Sequence, residues 1–193
     1  MDRADNPQVL PANLPVPVDD GASDHLLGRP VPPLSLMSTT GEMVDLSSLP
    51  GRTVVYCYPL TGRPDVDLPE GWDEIPGARG CTPQSCAFRD HYAELGDLGA
   101  RVFGLSTQSS EYQREAAERL NLPYELLSDR DLVFAGALSL PTFEADGMVL
   151  LKRLTMVVDE GRISKVFYPV FPPDKNAEEV IAWLRADLER VSR

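Results

Sequence analysis

The stretch that decides the fold is Gly80-Cys81-Thr82-Pro83-Gln84-Ser85-Cys86-Ala87-Phe88-Arg89-Asp90, where a loop turns into a helix. Thr82 is a plausible N-cap, and Pro83 then occupies the first helical position, where a missing N–H costs nothing. From there apolar residues recur at spacings of four and three and form one face of a helix that ends at about Gly96. These apolar residues are Phe88, Tyr92 and Leu95.

Two of the chain's three cysteines, Cys81 and Cys86, lie five residues apart in this stretch. Cys81 would lie just ahead of the helix, where unpaired N–H groups and the positive end of the helix dipole favour a thiolate over a thiol. Such settings lower the pKa of a cysteine from roughly 8.5 to roughly 3.5–7.5. Arg79, two residues upstream, adds a positive charge. We therefore predict that Cys81 is a nucleophile and that Cys86 is its candidate partner.

The spacing of the two cysteines constrains how they can react with each other. Five helical residues rise about 7.5 Å along the axis, which exceeds the roughly 7 Å between Cα atoms that a disulfide can bridge. If Cys81 and Cys86 are a redox pair, the start of the helix must therefore unwind when the disulfide forms. The alternative, that Cys86 is only a small buried residue of the helix, stays open at this point.

Composition and charge limit the class of protein. The chain has 193 residues and a formal net charge of −12, which suits one domain with its own core and argues against binding to nucleic acid or an anionic membrane. A helix that spans a bilayer needs about 18 consecutive apolar residues, and the sequence contains no such run. Because the N-terminus lacks the basic and apolar pattern of a signal peptide, we expect a cytoplasmic protein. In such a reducing compartment, two close cysteines are more often catalytic or metal-binding than structural.

Two segments are predicted to lie outside the core. Residues 1–25 are polar, rich in proline and without periodicity, so we expect a poorly packed N-terminal arm. Residues 60–80 form a long loop after a strand that Pro59 ends. A loop of this length inside a compact domain is usually functional, such as a lid, or else disordered.

Strands and helices alternate along the rest of the chain. The segment 34–46 reads as a hairpin, and the β-branched and aromatic run 53–58 as a buried central strand. Extended segments are then predicted at 101–106, 122–127, 154–158 and 163–168, and helices at 110–120, 132–138 and 177–191. This order predicts an α/β protein with a central mixed sheet flanked by helices, and it matches the thioredoxin fold with an N-terminal β-hairpin extension. In that fold the active-site cysteine lies where the first central strand connects to its helix, which is the position of Cys81.

A metal site is an alternative explanation of the cysteines. Cys81, Cys86 and His91 lie at spacings of five, and each step turns about 140° around a helix, so the three do not converge on one ion. A general dithiol–disulfide reductase would show Cys-x-x-Cys, a spacing that the sequence lacks. Cys57, in the middle of the central strand, is predicted to be inert packing.

Several motifs in order along the chain resemble those of one family. They are Tyr56-Cys57-Tyr58-Pro59, Gly80-Cys81-Thr82 followed by Cys86 and Phe88-Arg89-Asp90, Ser128-Asp129, and Arg153-Leu154-Thr155-Met156-Val157-Val158-Asp159. From about Leu26 to the C-terminus the chain resembles the peroxiredoxins of the AhpC/TSA superfamily, and within them the bacterioferritin-comigratory or Q-type subgroup. The resemblance implies a thioredoxin-fold peroxiredoxin domain over residues 26–193.

The resemblance also implies an activity and a role for each motif residue. Cys81 looks like the peroxidatic cysteine, Cys86 like the resolving one, Arg153 like the arginine that holds the thiolate and polarises the peroxide, and Pro59 like the proline that shields the site. The implied reaction reduces hydrogen peroxide or an organic hydroperoxide, leaving a sulfenic acid on the peroxidatic cysteine. An intramolecular disulfide follows, which thioredoxin or a similar dithiol protein reduces. No cofactor or metal is implied, and the subgroup suggests a monomer or weak homodimer.

The chain departs from the family pattern in two ways. The family has a threonine three residues before the peroxidatic cysteine, and here that position is Ala78. The family proline lies seven residues before that cysteine, whereas Pro59 lies 22 residues before it, so an insertion of roughly fifteen residues within 60–80 splits the motif. Thr61 is our candidate for the missing hydroxyl, and Thr82 is the second. A non-catalytic or redox-sensing thioredoxin-fold interaction module therefore remains the alternative function.

Overall fold

The computed structural model describes residues 9–192. Its strands are β1 (Ser35–Ser38), β2 (Met43–Asp45), β3 (Arg52–Cys57), β4 (Ala100–Ser106), β5 (Leu126–Ser128), β6 (Thr142–Ala145), β7 (Met148–Leu151), β8 (Leu154–Asp159) and β9 (Arg162–Phe167). Its α-helices are α1 (Cys81–Asp90), α2 (Tyr92–Asp97), α3 (Ser110–Arg119), α4 (Val133–Leu138) and α5 (Asn176–Val191). None of the helices described between residues 9 and 192 is both long and apolar enough to cross a bilayer.

Seven strands form one mixed sheet in the order β2-β1-β5-β4-β3-β8-β9. The central strand β3 is parallel to β4 and antiparallel to β8, and the hairpin of β1 and β2 joins the sheet through β5. The last four residues of β3 are all 0% exposed, as expected for a β-branched and aromatic strand that is covered on both faces. The predicted thioredoxin fold with an N-terminal hairpin and a central mixed sheet is confirmed.

The side chains of β3 contribute to two separate cores, one on each face of the sheet. Cys57 packs on one face in a cluster with Phe134 of α4. Tyr56 packs on the other face in a cluster with Phe88 of α1 and Leu184 of α5, and its ring stacks on that of Phe88 with the centroids 4.6 Å apart. This stacking holds α1 on the sheet, with the first turn of the helix near the end of β3.

The start of α1 differs from the prediction. The N-cap is Gly80, with φ 112° and no side-chain hydrogen bond, and the helix begins at Cys81, so Thr82 lies inside the first turn and is not the cap. The reason is packing, because a Cβ on Gly80 would lie 2.3 Å from Pro173 Cγ and 2.8 Å from Leu10 Cδ2. Only glycine adopts this positive φ and accepts such close neighbours. The predicted helix to Gly96 is also divided at His91 into α1 and α2.

The sequence analysis missed the hairpin of β6 and β7. The two strands pair antiparallel outside the main sheet and are joined by Asp146 and Gly147, whose φ angles are 49° and 71°. Positive φ at both central residues is what a type I′ turn requires, and Asp-Gly is a strong sequence signal for it. The hairpin buries Leu150 and Leu151.

The N-terminal arm, predicted to be poorly packed, lies against the domain where the structure describes it. Lys152 Nζ pairs with Asp20 Oδ2 at 2.7 Å, and the Tyr168 hydroxyl donates to Asp20 Oδ1 at 2.7 Å. Both contacts hold the pKa of the Asp20 carboxyl well below its usual range. His25 Nε2 contacts the Leu138 carbonyl at 2.8 Å. The arm from residue 9 onward therefore makes specific polar contacts with the domain, although nearly all of its described residues are at least partly exposed. Residues 1–8 of the predicted arm lie outside the described part.

Candidate active site

Cys81 is the first residue of α1 and is 3% exposed. Arg153 Nη2 donates to its sulfur at 3.2 Å, and the sulfur lies 3.8 Å from the Ala78 carbonyl oxygen. A guanidinium stays charged at any physiological pH, so the sulfur is in direct contact with a permanent positive charge at the N-terminus of a helix. The structure thus brings Cys81 and Arg153 together, although 72 residues separate them in sequence.

Arg153 is held in place by the loop that precedes α1. It lies in the short link between β7 and β8 and is itself 3% exposed. Its Nε donates to the Gly77 carbonyl at 3.2 Å, and its Nη2 donates to the carbonyls of Ala78 at 2.9 Å and Arg79 at 3.4 Å. Ala78, which occupies the position of the family threonine, therefore contributes a backbone acceptor. The planar guanidinium is fixed by backbone groups, which leaves one of its donors directed at the sulfur of Cys81.

Gln84 is a site residue that the sequence analysis missed. Its Oε1 accepts from Arg153 Nη1 at 2.5 Å, and its Nε2 donates to Asn176 Oδ1 at 3.0 Å. Asn176 Oδ1 also accepts from the Thr155 hydroxyl at 2.6 Å. Gln84, Asn176 and Thr155 are all 0% exposed. The only sequence signal was a polar residue one turn after Cys81 in an otherwise buried helix.

We expect Gln84→Met to lower the second-order rate constant for Cys81 oxidation by hydrogen peroxide about tenfold, because a reacting group that shifts by a fraction of an ångström loses catalytic efficiency. The substitution preserves length and burial but removes the acceptor for Arg153 Nη1. Rapid mixing with peroxide, followed by alkylation of the remaining thiol, measures the rate constant. Thr155→Val, which removes only the outer hydroxyl, is the matched control and should change the rate less. A Gln84→Met rate within twofold of wild type would contradict the positioning role.

Cys86 lies further along α1 and is half-buried. Burial raises the pKa of its thiol, and the guanidinium of Arg89 offsets only part of that rise. Cys81 and Cys86 are both free thiols, and the helix is continuous from Cys81 to Asp90. Because five helical residues separate the two Cα atoms by about 7.5 Å of rise, a disulfide between them requires α1 to unwind at its start.

Cys57 is remote from this site. It is 0% exposed and belongs to the core on the opposite face of the sheet from Cys81. Burial, with a smaller contribution from the Asp129 carboxylate, raises the pKa of its thiol far above the ordinary value. A thiol that is both inaccessible and hard to ionise is unreactive.

Thr61 and Pro59 both lie buried just after β3. Thr61 is 1% exposed, and its backbone N–H donates to Gln108 Oε1 at 2.9 Å. Its hydroxyl has no hydrogen-bond partner of ordinary geometry among residues 9–192. It nevertheless lies close to the Tyr58 hydroxyl, where it partly offsets the burial that raises the pKa of Tyr58. The structure shows no hydrogen bond between Thr61 and Cys81. Thr82, the second candidate hydroxyl, is buried and borders a small cavity above Cys81.

The metal alternative was Cys81, Cys86 and His91. His91 Nδ1 instead contacts Glu94 Oε2 at 3.1 Å. Within residues 9–192, no group of three or more His, Cys, Asp and Glu side chains is arranged to hold a metal ion.

Comparison with known proteins agrees with this geometry. Residues 26–181 match the Redoxin family. Peroxiredoxin Q from the chloroplast of Sedum lineare is 35% identical over 161 residues, which cover 82% of this chain and 77% of the relative. The chain belongs to the Redoxin family, as a Q-type peroxiredoxin. The putative peroxiredoxin bcp of Coxiella burnetii is 28% identical over 170 residues, covering 82% of this chain and 97% of that protein.

A solved structure agrees with the assignment to the peroxiredoxins. The crystal structure of peroxidoxin BcpB from Mycobacterium tuberculosis superposes with a TM-score of 0.67 at 28% identity, covering 83% of this chain and 97% of the other. As a peroxiredoxin, the protein is a thiol peroxidase.

Proposed function

We propose that Cys81 is the peroxidatic cysteine, that Arg153 activates it and the peroxide, and that Cys86 resolves the oxidised site. The contact of 3.2 Å between Arg153 Nη2 and Cys81 Sγ carries the proposal, because it joins a nucleophilic sulfur to a fixed positive charge. One chain supplies all three side chains, so a monomer is sufficient for the reaction.

In the first step the Cys81 thiolate attacks the nearer oxygen of hydrogen peroxide or an organic hydroperoxide. An S–O bond forms as the O–O bond breaks, and the leaving oxygen takes a proton to become water or an alcohol. The donors of Arg153 stabilise the charge that develops on the peroxide oxygens without having to reorganise. Cys81 is left as a sulfenic acid, oxidised by two electrons.

Thr61 and Pro59 are proposed to bound the site on the side of β3. The hydroxyl of Thr61 is buried and lacks a hydrogen-bond partner of ordinary geometry among the described residues, although the Tyr58 hydroxyl lies close to it. A peroxide oxygen would provide that partner. Pro59 is proposed to exclude water beside it, as a buried residue without an N–H.

In the second step α1 unwinds at its start and the Cys86 sulfur attacks the Cys81 sulfur. The S–O bond breaks, water leaves, and an intramolecular disulfide forms. Because burial raises the pKa of the Cys86 thiol in the folded helix, Cys86 remains protonated there and ionises more easily once the helix is unwound. Rising pH should therefore favour the unwound state and accelerate this step. Thioredoxin or a similar dithiol protein then reduces the disulfide, which we propose occurs in the cytoplasm, where free thiols persist.

We expect one equivalent of hydrogen peroxide to convert Cys81 and Cys86 into a disulfide within one chain, because the sulfenic acid forms on Cys81 and Cys86 lies on the same helix. Mass spectrometry of peptides from protein alkylated after oxidation identifies the pairing. Cys86→Ser should stop at the sulfenic acid, which dimedone traps. A Cys81 bond to Cys57, or to another chain, would contradict the proposed resolution. Peroxide-dependent turnover with thioredoxin and its reductase then distinguishes the enzyme from a redox-sensing interaction module.

A further inference from the structure

Residues 60–80, here called the inserted loop, form most of the wall of a cavity at Cys81. This cavity, of about 20 Å³, is lined in part by Cys81. A water molecule needs about 10–15 Å³ of such volume, so the cavity holds only one or two. Its lining comes from the inserted loop at Leu60, Gly62, Leu68, Trp72, Arg79 and Gly80, and from α1 at Cys81 and Thr82. The space beside Cys81 is therefore on the scale of a hydrogen peroxide molecule.

The inserted loop is anchored firmly enough to keep this space small. Trp72, on the 3₁₀ turn Trp72–Glu74, is 3% exposed and packs in a small core with Leu150. Its ring centroid lies 6.1 Å from that of Phe143 on β6. Asp73 Oδ1 pairs with Arg79 Nη1 at 2.9 Å. The loop is thus packed onto the hairpin of β6 and β7 and tied back to the residues that precede α1.

A second cavity near the site does not reach Cys81. A larger apolar cavity of about 210 Å³ lies behind Arg153, lined in part by Pro17, Phe143 and Val170. Arg153 borders it, but Cys81 does not. The guanidinium and the backbone that it holds separate this space from the reacting sulfur.

We propose that the inserted loop makes the enzyme selective for small peroxides, with Leu60, Leu68 and Trp72 as the residues that exclude bulky hydroperoxides. This inference rests on the proposed function of Cys81. Hydrogen peroxide fits the cavity as it stands. A hydroperoxide with an aromatic or tertiary alkyl group reaches the sulfur only when the apolar wall is displaced, so its reaction is slower.

Leu68→Ala tests the inference, because Leu68 is half-buried at the cavity wall, where it packs against the small core around Trp72 without being one of its fully buried members. We expect the rate constant for Cys81 oxidation by cumene hydroperoxide to rise about tenfold relative to that by hydrogen peroxide, the scale on which a few apolar groups discriminate between substrates. Val66→Ala is the matched control, since Val66 lies on the same loop, is 50% exposed and does not line the cavity. It should leave the ratio unchanged. Rapid mixing and alkylation of the remaining Cys81 thiol measure both rate constants.

Wild-type protein should react faster with hydrogen peroxide than with cumene hydroperoxide. Equal wild-type rates, or a ratio that Leu68→Ala leaves within twofold of wild type, would overturn the selectivity while the proposed function stands. If neither peroxide oxidises Cys81 in the wild type, the proposed function fails and the selectivity with it.

Discussion

Cys81→Ser is expected to lower peroxide consumption by about 10³-fold or more, because loss of the nucleophile removes a whole reaction path that the remaining residues cannot supply. The serine oxygen occupies nearly the same place and can still accept from Arg153 Nη2, which lies 3.2 Å from the sulfur in the wild type. The fold should therefore persist while the chemistry stops. Peroxide loss is followed with thioredoxin, its reductase and NADPH, and the thermal unfolding midpoint checks the fold.

Cys57→Ala is the control for this experiment. Cys57 is also buried, but it lies on the opposite face of the sheet from Cys81. Removing one sulfur atom there should cost about 1–2 kcal/mol of stability through a small cavity and leave the rate within about twofold. Substantial activity in Cys81→Ser would mean that another group attacks the peroxide, and an equal loss in Cys57→Ala would mean that the effect is structural.

The position of the proposed nucleophile at the start of α1 was predictable because its signals are local. A cysteine at the mouth of a helix, followed by proline and then by apolar residues at helical spacing, depends only on the stretch 80–95. The central strand was predictable for a similar reason, since a continuous β-branched and aromatic run at 53–58 indicates burial on both faces. Assigning Arg153 to the site required the family resemblance, because nothing in its own neighbourhood marks it.

The structural features that could not be predicted from the sequence depend on contacts between segments that are far apart along the chain. Gly80 is the N-cap because Pro173 and Leu10 pack against it, and neither residue is near it in sequence. Gln84 was given no role by the sequence, yet it connects Arg153 to Asn176. Polar pairs of this kind leave no periodicity in the sequence, so pattern analysis does not detect them.

The packing around Gly80 also bears on the redox cycle. Leu10 of the N-terminal arm and Pro173 both cover the residue from which α1 starts, and the Tyr124 hydroxyl donates to the Ser85 carbonyl at 2.7 Å inside the same helix. These contacts belong to the reduced, fully helical state. The proposed disulfide requires α1 to unwind at its start, and unwinding would break or shift these contacts, including the one from Leu10 of the arm.

Arg153→Lys is expected to lower the rate constant for Cys81 oxidation by about 10²-fold or more, although it retains the positive charge. A lysine ammonium is a point charge with no planar fork. It cannot donate at once to Gly77, Ala78, Gln84 and the Cys81 sulfur, as Arg153 does. The loss of fixed donors at the developing oxyanion has effects of this size in other enzymes. Rapid mixing with hydrogen peroxide and alkylation of the remaining thiol measures the rate constant.

The stability of the Arg153→Lys variant must be measured as well, so that a slower reaction can be distinguished from a loss of folded protein. Each buried carbonyl that loses its donor costs about 1–3 kcal/mol, so the midpoint of unfolding by denaturant should fall as well, and the rate is measured well below that midpoint. Arg162→Lys is the matched control, because Arg162 lies on β9, is exposed, and donates to the Gly28 carbonyl at 2.6 Å away from the site. It should leave the oxidation rate unchanged. If Arg153→Lys remains folded and reacts within threefold of wild type, charge alone suffices and the geometry of the guanidinium does not govern the rate.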